Sequence, residues 1–129
     1  MHHNWTHLKL RITLTILTGV VSATITHAAS AKDAGRDTFE KRCTGCHALD
    51  KIKVGPPLRG VYGRNAGKDR RFAYSDAVKN ASVMWDESTL DRWLTDTESV
   101  IPDNDMAFRL DDPAERANII DYLRRLSGK

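Results

Sequence analysis

One pentapeptide, Cys43-Thr44-Gly45-Cys46-His47, constrains what this chain can fold around more than any other part of the sequence. The pattern C-x-x-C-H is typical of c-type haem attachment, in which two thiols form thioether bonds with one ring. Residues three and four apart on a helical turn share a face, so both thiols reach one ring while the adjacent imidazole lies beneath the iron. The motif predicts one covalently bound haem, with Cys43 and Cys46 as attachment points and His47 as an axial ligand.

Other uses of the two cysteines remain open at this point. A disulfide or a redox-active C-x-x-C pair has the same spacing, and a disulfide also suits an exported chain. A zinc site is disfavoured, because it needs about four ligands and the chain contains only two cysteines.

The first 31 residues have the pattern of a cleaved secretory signal peptide. Lys9 and Arg11 form a positive start, a mostly apolar run follows over residues 12–25, and small residues come next. We expect cleavage after Ala28 or Ala31, which leaves a single domain over residues 32–129. An uncleaved membrane anchor is disfavoured, because a span needs about 20 apolar residues and this run is short and rich in Thr and Ser. Haem attachment outside the cytoplasm then predicts the periplasm of a Gram-negative bacterium.

Removal of this segment changes the charge and the histidine content. The full chain has 20 basic and 17 acidic residues, and Lys9 and Arg11 are the only charged residues before residue 32, so the formal charge falls from +3 to +1. Nothing then indicates a nucleic-acid partner, which requires a clustered basic face. His47 becomes the only histidine. The second axial ligand must therefore be a residue of another type.

The class is predicted to be all-α, because no run of alternating β-branched residues competes with the helical patterns. Helical segments are predicted at residues 34–43, 75–79 and 87–95, and from Pro113 onward with an apolar face that extends to Leu126. Asp86 and Asp112 are the predicted N-caps of the last two, and Glu115 lies three residues after the second cap. The segment from Thr95 to Met106 is expected to be irregular. Long loops in so small a domain become reasonable if they wrap a haem.

Two methionines remain as candidates for the second ligand. Met84 lies near the start of a helix, whereas Met106 follows an irregular loop that contains Pro102. The default role of a methionine is to fill the core. We favour Met106, because a loop can direct one thioether at the iron independently of a helix packing face.

From Gly35 to Leu126 the chain resembles class I c-type cytochromes, close to the soluble mitochondrial and α-proteobacterial type. The attachment motif, the segment Gly55-Pro56-Pro57-Leu58-Arg59-Gly60 and the segment Ile101–Phe108, here called the distal loop, carry the resemblance together with their order and spacing. Gly35 and Phe39 resemble the pair that packs the first helix across the last one.

The resemblance implies a role for several residues. The carbonyl of Pro56 would accept the proton of the proximal imidazole. Arg64 would offset the charge of the haem propionates, while Tyr74 and Trp85 would hydrogen-bond to them. Met106 would be the axial sulfur. The fold implied is the small cytochrome c fold, a few helices and long loops around one haem.

Some positions depart from the family pattern. Glu98, Ser99 and Asp105 replace the lysines that surround the haem edge in mitochondrial proteins, so docking through a basic collar is doubtful. Trp93 and Val78 replace more polar residues and make the distal side drier. Asn104 is a candidate for a hydrogen bond to the propionate side.

The function predicted is one-electron transfer rather than catalysis, by a soluble monomer or weakly associating protein without a membrane span. Its partners would be a redox-protein donor and acceptor, either membrane complexes or a periplasmic dehydrogenase. One alternative is a dedicated electron-accepting subunit of such a dehydrogenase. Another is a haem protein that binds small ligands or turns over peroxide.

Overall fold

The structure, a computed structural model, describes residues 34–128. Within this range it contains five helices and no strand. They are α1, whose described part covers residues 34–43, α2 (Asp76–Asn80), α3 (Glu87–Thr95), α4 (Thr97–Val100) and α5 (Pro113–Leu126). The predicted all-α class is confirmed for these residues. The predicted signal peptide, with its candidate cleavage sites, lies outside them.

Both predicted N-caps begin their helices as local sequence rules require. The Asp86 carboxylate accepts the N–H of Thr89 at 2.8 Å, and the Thr89 hydroxyl accepts the N–H of Asp86 at 2.8 Å, which completes a capping box. Asp112 accepts the N–H of Ala114 at 2.8 Å at the start of α5. Glu115 has a different role from a reciprocal cap, because its carboxylate pairs with Arg42 of α1 at 2.7 Å.

The segment from Thr95 to Met106 is more ordered than predicted. It contains the short helix α4, capped by Asp96, whose side chain accepts the N–H of Glu98 at 3.2 Å. The prediction of an irregular segment is wrong for Thr97–Val100, since four residues are too few to produce a periodic apolar pattern. Helix α3 packs against both α4 and α5, so α4 fixes where the distal loop begins.

Helices α1 and α5 cross at Gly35, where the two backbones come close together. A Cβ at Gly35 would lie 2.8 Å from the carbonyl oxygen of Asn118 and 3.2 Å from the Cβ of Tyr122. Further along the crossing, the rings of Phe39 and Tyr122 lie 5.2 Å apart. The packing that the resemblance implied for Gly35 and Phe39 is thus present, and it places the end of α1 against the core.

Backbone hydrogen bonds join the segment after the first loop to the segment that leads into α3. Gly63 N–H donates to the carbonyl of Trp85 at 2.7 Å, and Trp85 N–H donates to the carbonyl of Arg64 at 3.0 Å. The pairing brings Arg64 and Trp85 together although 20 residues separate them in the chain. None of the helices in residues 34–128 is long and apolar enough to cross a membrane.

Candidate functional site

A cavity of about 640 Å³ lies in the middle of the core. Its walls come from α1, α2, α3, α5 and the loops between them, and include the apolar side chains of Val78, Trp93, Leu94, Ile119 and Leu123. All eight site residues predicted from the sequence line it: Cys43, Cys46, His47, Pro56, Arg64, Tyr74, Trp85 and Met106. A space of this size, largely apolar with a few polar groups, suits a large prosthetic group.

The two cysteines lie at the C-terminal end of α1, where the helical turn places both beside the cavity. Cys46 and His47 donate their N–H groups to the carbonyl of Cys43, at 3.2 and 2.9 Å. The two thiols form no disulfide with each other, and burial raises the pKa of Cys43 to about 12. A redox-active cysteine has the opposite perturbation, a lowered pKa. Within residues 34–128 no three His, Cys, Asp or Glu side chains cluster as metal ligands, so a zinc site has no support.

His47 is held in one orientation by the loop that follows it. Its side chain is buried, and Nδ1 lies 2.8 Å from the carbonyl oxygen of Pro56. A carbonyl only accepts, so Nδ1 carries the hydrogen and Nε2 presents its lone pair to the cavity. Burial lowers the pKa of His47, which favours the neutral imidazole that a metal ion requires.

Gly55 is the reason that the loop can press so closely on this ring. A Cβ at this position would lie 2.7 Å from Nδ1 and 2.8 Å from Nε2 of His47, and closer still to Cε1. The N–H of Gly55 also donates to the carbonyl of Cys46 at 2.9 Å. The loop therefore packs its backbone on the imidazole and aims the next carbonyl, that of Pro56, at Nδ1.

The two candidate methionines have different surroundings. Met106 is partly buried and lines the cavity. Met84 is 51% exposed and is not among the cavity-lining residues. Its backbone forms an isolated bridge with Asn65. Only Met106 of these two can present its sulfur inside the cavity without a rearrangement of the fold.

Polar side chains gather at another part of the cavity wall. Arg64, Tyr74 and Trp85 line it, and burial raises the pKa of Tyr74, which keeps its phenol protonated as a donor. Beside them lies Asp69, whose side chain is only 5% exposed and whose Oδ2 is 2.7 Å from Arg71 Nη2 and 3.9 Å from Arg64 Nη1. The arginine hydrogen bonds lower the pKa of Asp69 to about 2.

Sequence reasoning missed Asp69, and the hydrogen bond to the propionate side for which Asn104 was a candidate stays a prediction. An Asp two residues before an Arg is a weak signal, and only the burial of the carboxylate distinguishes Asp69 from a surface acid. Asn104 does not line the cavity. Both ends of its amide form hydrogen bonds within the distal loop and α4, because the loop folds back on itself at this residue.

Comparison with known proteins agrees with this arrangement. The family model for cytochrome c matches residues 32–127. The cytochrome c of Chlamydomonas reinhardtii is 42% identical over 98 residues, which cover 73% of this chain and 88% of that protein. The cytochrome c2 iso-2 of Magnetospirillum fulvum is 45% identical over 87 residues, covering 65% of this chain and 91% of that protein.

A solved structure shares the fold as well as the sequence pattern. Cytochrome cH from Methylobacterium extorquens superimposes with a TM-score of 0.69 at 38% identity, covering 73% of this chain and 97% of that one. The predicted small cytochrome c fold is thus confirmed. The chain belongs to the cytochrome c family of electron carriers, which have a covalently attached haem c, and Cys43, Cys46 and His47 fit that group.

Proposed function

We propose that this chain is a soluble periplasmic one-electron carrier whose single haem c is ligated by His47 and Met106. The observation that carries the proposal is that one cavity is lined by both thiols, by a neutral imidazole and by Met106, while Met84 lies elsewhere. Bound in this cavity, a haem supplies a one-electron couple, and methionine ligation favours a relatively high reduction potential.

The residues on the proximal side have separable tasks. Cys43 and Cys46 would hold the group covalently. His47 would bind the iron through Nε2, because Nδ1 already donates to the carbonyl of Pro56 at 2.8 Å. That hydrogen bond fixes the ring orientation and raises the basicity of the imidazole, as is usual for metal-bound histidines.

The residues at the polar part of the cavity bind the propionates in this proposal. Arg64 offers a guanidinium for charge-assisted hydrogen bonds, and Tyr74 and Trp85 offer an O–H and an N–H donor. Asp69 lies beside Arg64 and reduces the net positive charge there. Arg64 and the two donors would therefore offset only part of the charge of two propionates, and Arg71 is the second cation beside Asp69.

If His47 and Met106 both bound the iron, no ligand position would be left for a substrate, so the proposed role is electron transfer and not catalysis. The partners are accordingly a redox-protein donor and acceptor. The signal-peptide pattern supports export to the periplasm. The mass of the intact protein isolated from the periplasmic fraction tests this, because it should correspond to cleavage after Ala28 or Ala31 plus one haem. Recovery of the full-length chain in the cytoplasm would contradict export.

The methionine assignment is tested with two matched variants. Met106→Ala should abolish the sulfur-to-iron charge-transfer band of the ferric protein and allow the reduced protein to bind carbon monoxide. Met84→Ala, whose side chain lies outside the cavity, should keep the band and exclude carbon monoxide. Loss of the band in the Met84 variant alone would overturn the assignment. Ready binding of carbon monoxide by the unaltered reduced protein would favour a ligand-binding haem protein instead.

A further inference from the structure

Glu98 of α4 binds the distal loop with both oxygens of its carboxylate. Oε1 accepts the backbone N–H of Asp103 at 2.8 Å, and Oε2 accepts from the side-chain amide of Asn104 at 3.1 Å. Among the described residues Glu98 forms no salt bridge with a cation. An exposed glutamate usually hydrogen-bonds to water, so the use of both oxygens on one loop is unusual.

The contact extends from Glu98 to the backbone of Met106. Asn104, which Glu98 binds, donates through Nδ2 to the carbonyl of Ile101 at 2.8 Å and accepts the N–H of Met106 on Oδ1 at 2.8 Å. The carbonyl of Met106 accepts the hydroxyl of Thr97, a buried residue of α4, at 2.6 Å. Side chains thus bind both the N–H and the carbonyl of Met106. Three side chains form this arrangement, and two of them, Thr97 and Glu98, belong to α4.

The residue that Glu98 binds directly has an unfavourable backbone conformation. Asp103 has φ of 59°, the left-handed region, which costs a residue with a Cβ free energy unless the surroundings hold it there. The N–H of Asp103 points at Glu98 in this conformation. The hydrogen bond to Glu98 therefore stabilises the turn that brings Asn104, and with it Met106, into position.

We propose that Glu98 is a positioning residue, which holds the distal loop in the conformation that presents the sulfur of Met106 to the cavity. The inference rests on the proposed function, because it takes Met106 as the axial ligand. Loss of the Glu98 contacts leaves the loop free to relax at Asp103, and a loop that relaxes releases its methionine more easily. The effect acts on ligation and leaves the helical core in place, since Glu98 is exposed.

The test is competition for the iron by imidazole, added to the ferric holoprotein and followed by its absorption spectrum. Glu98→Ala should raise the affinity for imidazole about tenfold, which corresponds to about 1.4 kcal/mol. Glu98→Gln keeps the length of the side chain and one acceptor, so its affinity should fall in between, and it serves as the test if the alanine variant fails to fold. The control is Ser99→Ala on the same helix. Among residues 34–128 the Ser99 hydroxyl binds only the carbonyl of Asp96, so the affinity of this variant for imidazole should stay within twofold of that of the unaltered protein.

The outcomes distinguish the positioning role of Glu98 from the assignment of Met106 as the ligand. If Met106→Ala raises the affinity for imidazole while both Glu98 variants behave as Ser99→Ala does, the positioning role is refuted and the methionine assignment stands. If Met106→Ala leaves the affinity unchanged, the methionine assignment itself fails. A fall in melting temperature of the Glu98 variants without a change in imidazole affinity would also refute the positioning role.

Discussion

Replacing Gly55 by alanine tests whether the proximal loop is shaped to the imidazole of His47. The added methyl group would lie 2.7 Å from Nδ1 and 2.8 Å from Nε2 of the ring, whereas an ordinary contact begins at 3.4 Å. The ring would have to retreat by more than about 1 Å, because its Cε1 lies closer still to the added methyl group. Retreat of the loop instead would break the hydrogen bond from Gly55 N–H to Cys46, which measures 2.9 Å.

The size of the effect follows from these constraints. Overpacking of a well-packed site costs about 1–3 kcal/mol. For a domain of roughly 100 residues, this corresponds to a fall in melting temperature of roughly 5–20 °C. A shifted ring also weakens the hydrogen bond to Pro56, so the reduction potential should change together with the stability.

The assay is thermal unfolding of the holoprotein, with a redox titration on the same samples. Gly45→Ala is the matched control, because a Cβ at Gly45 would have no atom within 4 Å and the residue lies in the attachment motif that contains His47. That variant should unfold within a few degrees of the original protein. Equal melting temperatures and potentials for the two variants would show that the ring and the loop accommodate a methyl group, and would refute the reasoning.

Two further predictions concern the rest of the fold. Asp69→Asn should lower stability at neutral pH by about 1 kcal/mol, because a shift in pKa from 3.8 to about 2 gives an upper limit near 2 kcal/mol and the exposure of Arg71 lets solvent screen the pair. The contribution of the carboxylate to stability is complete above pH 4 and is lost as the pH falls towards 2. The stability of the variant, measured by unfolding between pH 5 and pH 2, should therefore depend less steeply on pH. An unchanged slope would count against the pairing. Gly35→Ala should lower the melting temperature by roughly 5–20 °C, because the facing carbonyl in α5 belongs to a helix backbone and cannot rotate away. Helix propensity alone predicts an unchanged or raised melting temperature. Such a result would show that the two helices can separate.

The helices with strong local signals could be predicted from the sequence. Helix α3 has a capping residue, an apolar face and a change of pattern at its end, and its predicted bounds, Glu87–Thr95, agree with the structure. Helix α4 has only a cap at Asp96 and four residues after it. Its stability comes from packing against α3 and from its contacts with the distal loop, neither of which a local pattern contains.

The same division holds for the candidate site. Cys43, Cys46 and His47 lie within five residues of the chain, so their spacing alone predicts haem attachment. The sequence showed Glu98 as an acidic replacement on the surface, and its contacts with the distal loop depend on a turn at Asp103 that no residue type specifies. Asp69 could be recognised as part of the candidate site only from its burial and its distance to Arg64.

The cavity also links stability to cofactor attachment. At about 24 cal/mol per Å³, a space of 640 Å³ would cost on the order of 15 kcal/mol if nothing filled it. Water entering beside the exposed Cys46 and Val54 reduces this figure, but even a third of it reaches the lower end of the stability range of small domains, about 5 kcal/mol. The arrangement of helices described above therefore depends on a group that fills the cavity.

A change in stability alone is consequently a poor guide to which residue binds the iron in this protein. Ile119 and Leu123 line the same cavity as His47 and Met106, so truncation of any of the four should destabilise the holoprotein. Only ligand substitutions should also change the charge-transfer band and the affinity for imidazole. An effect of Glu98 on that affinity would have particular weight, because this side chain lies on the surface and fills no part of the cavity.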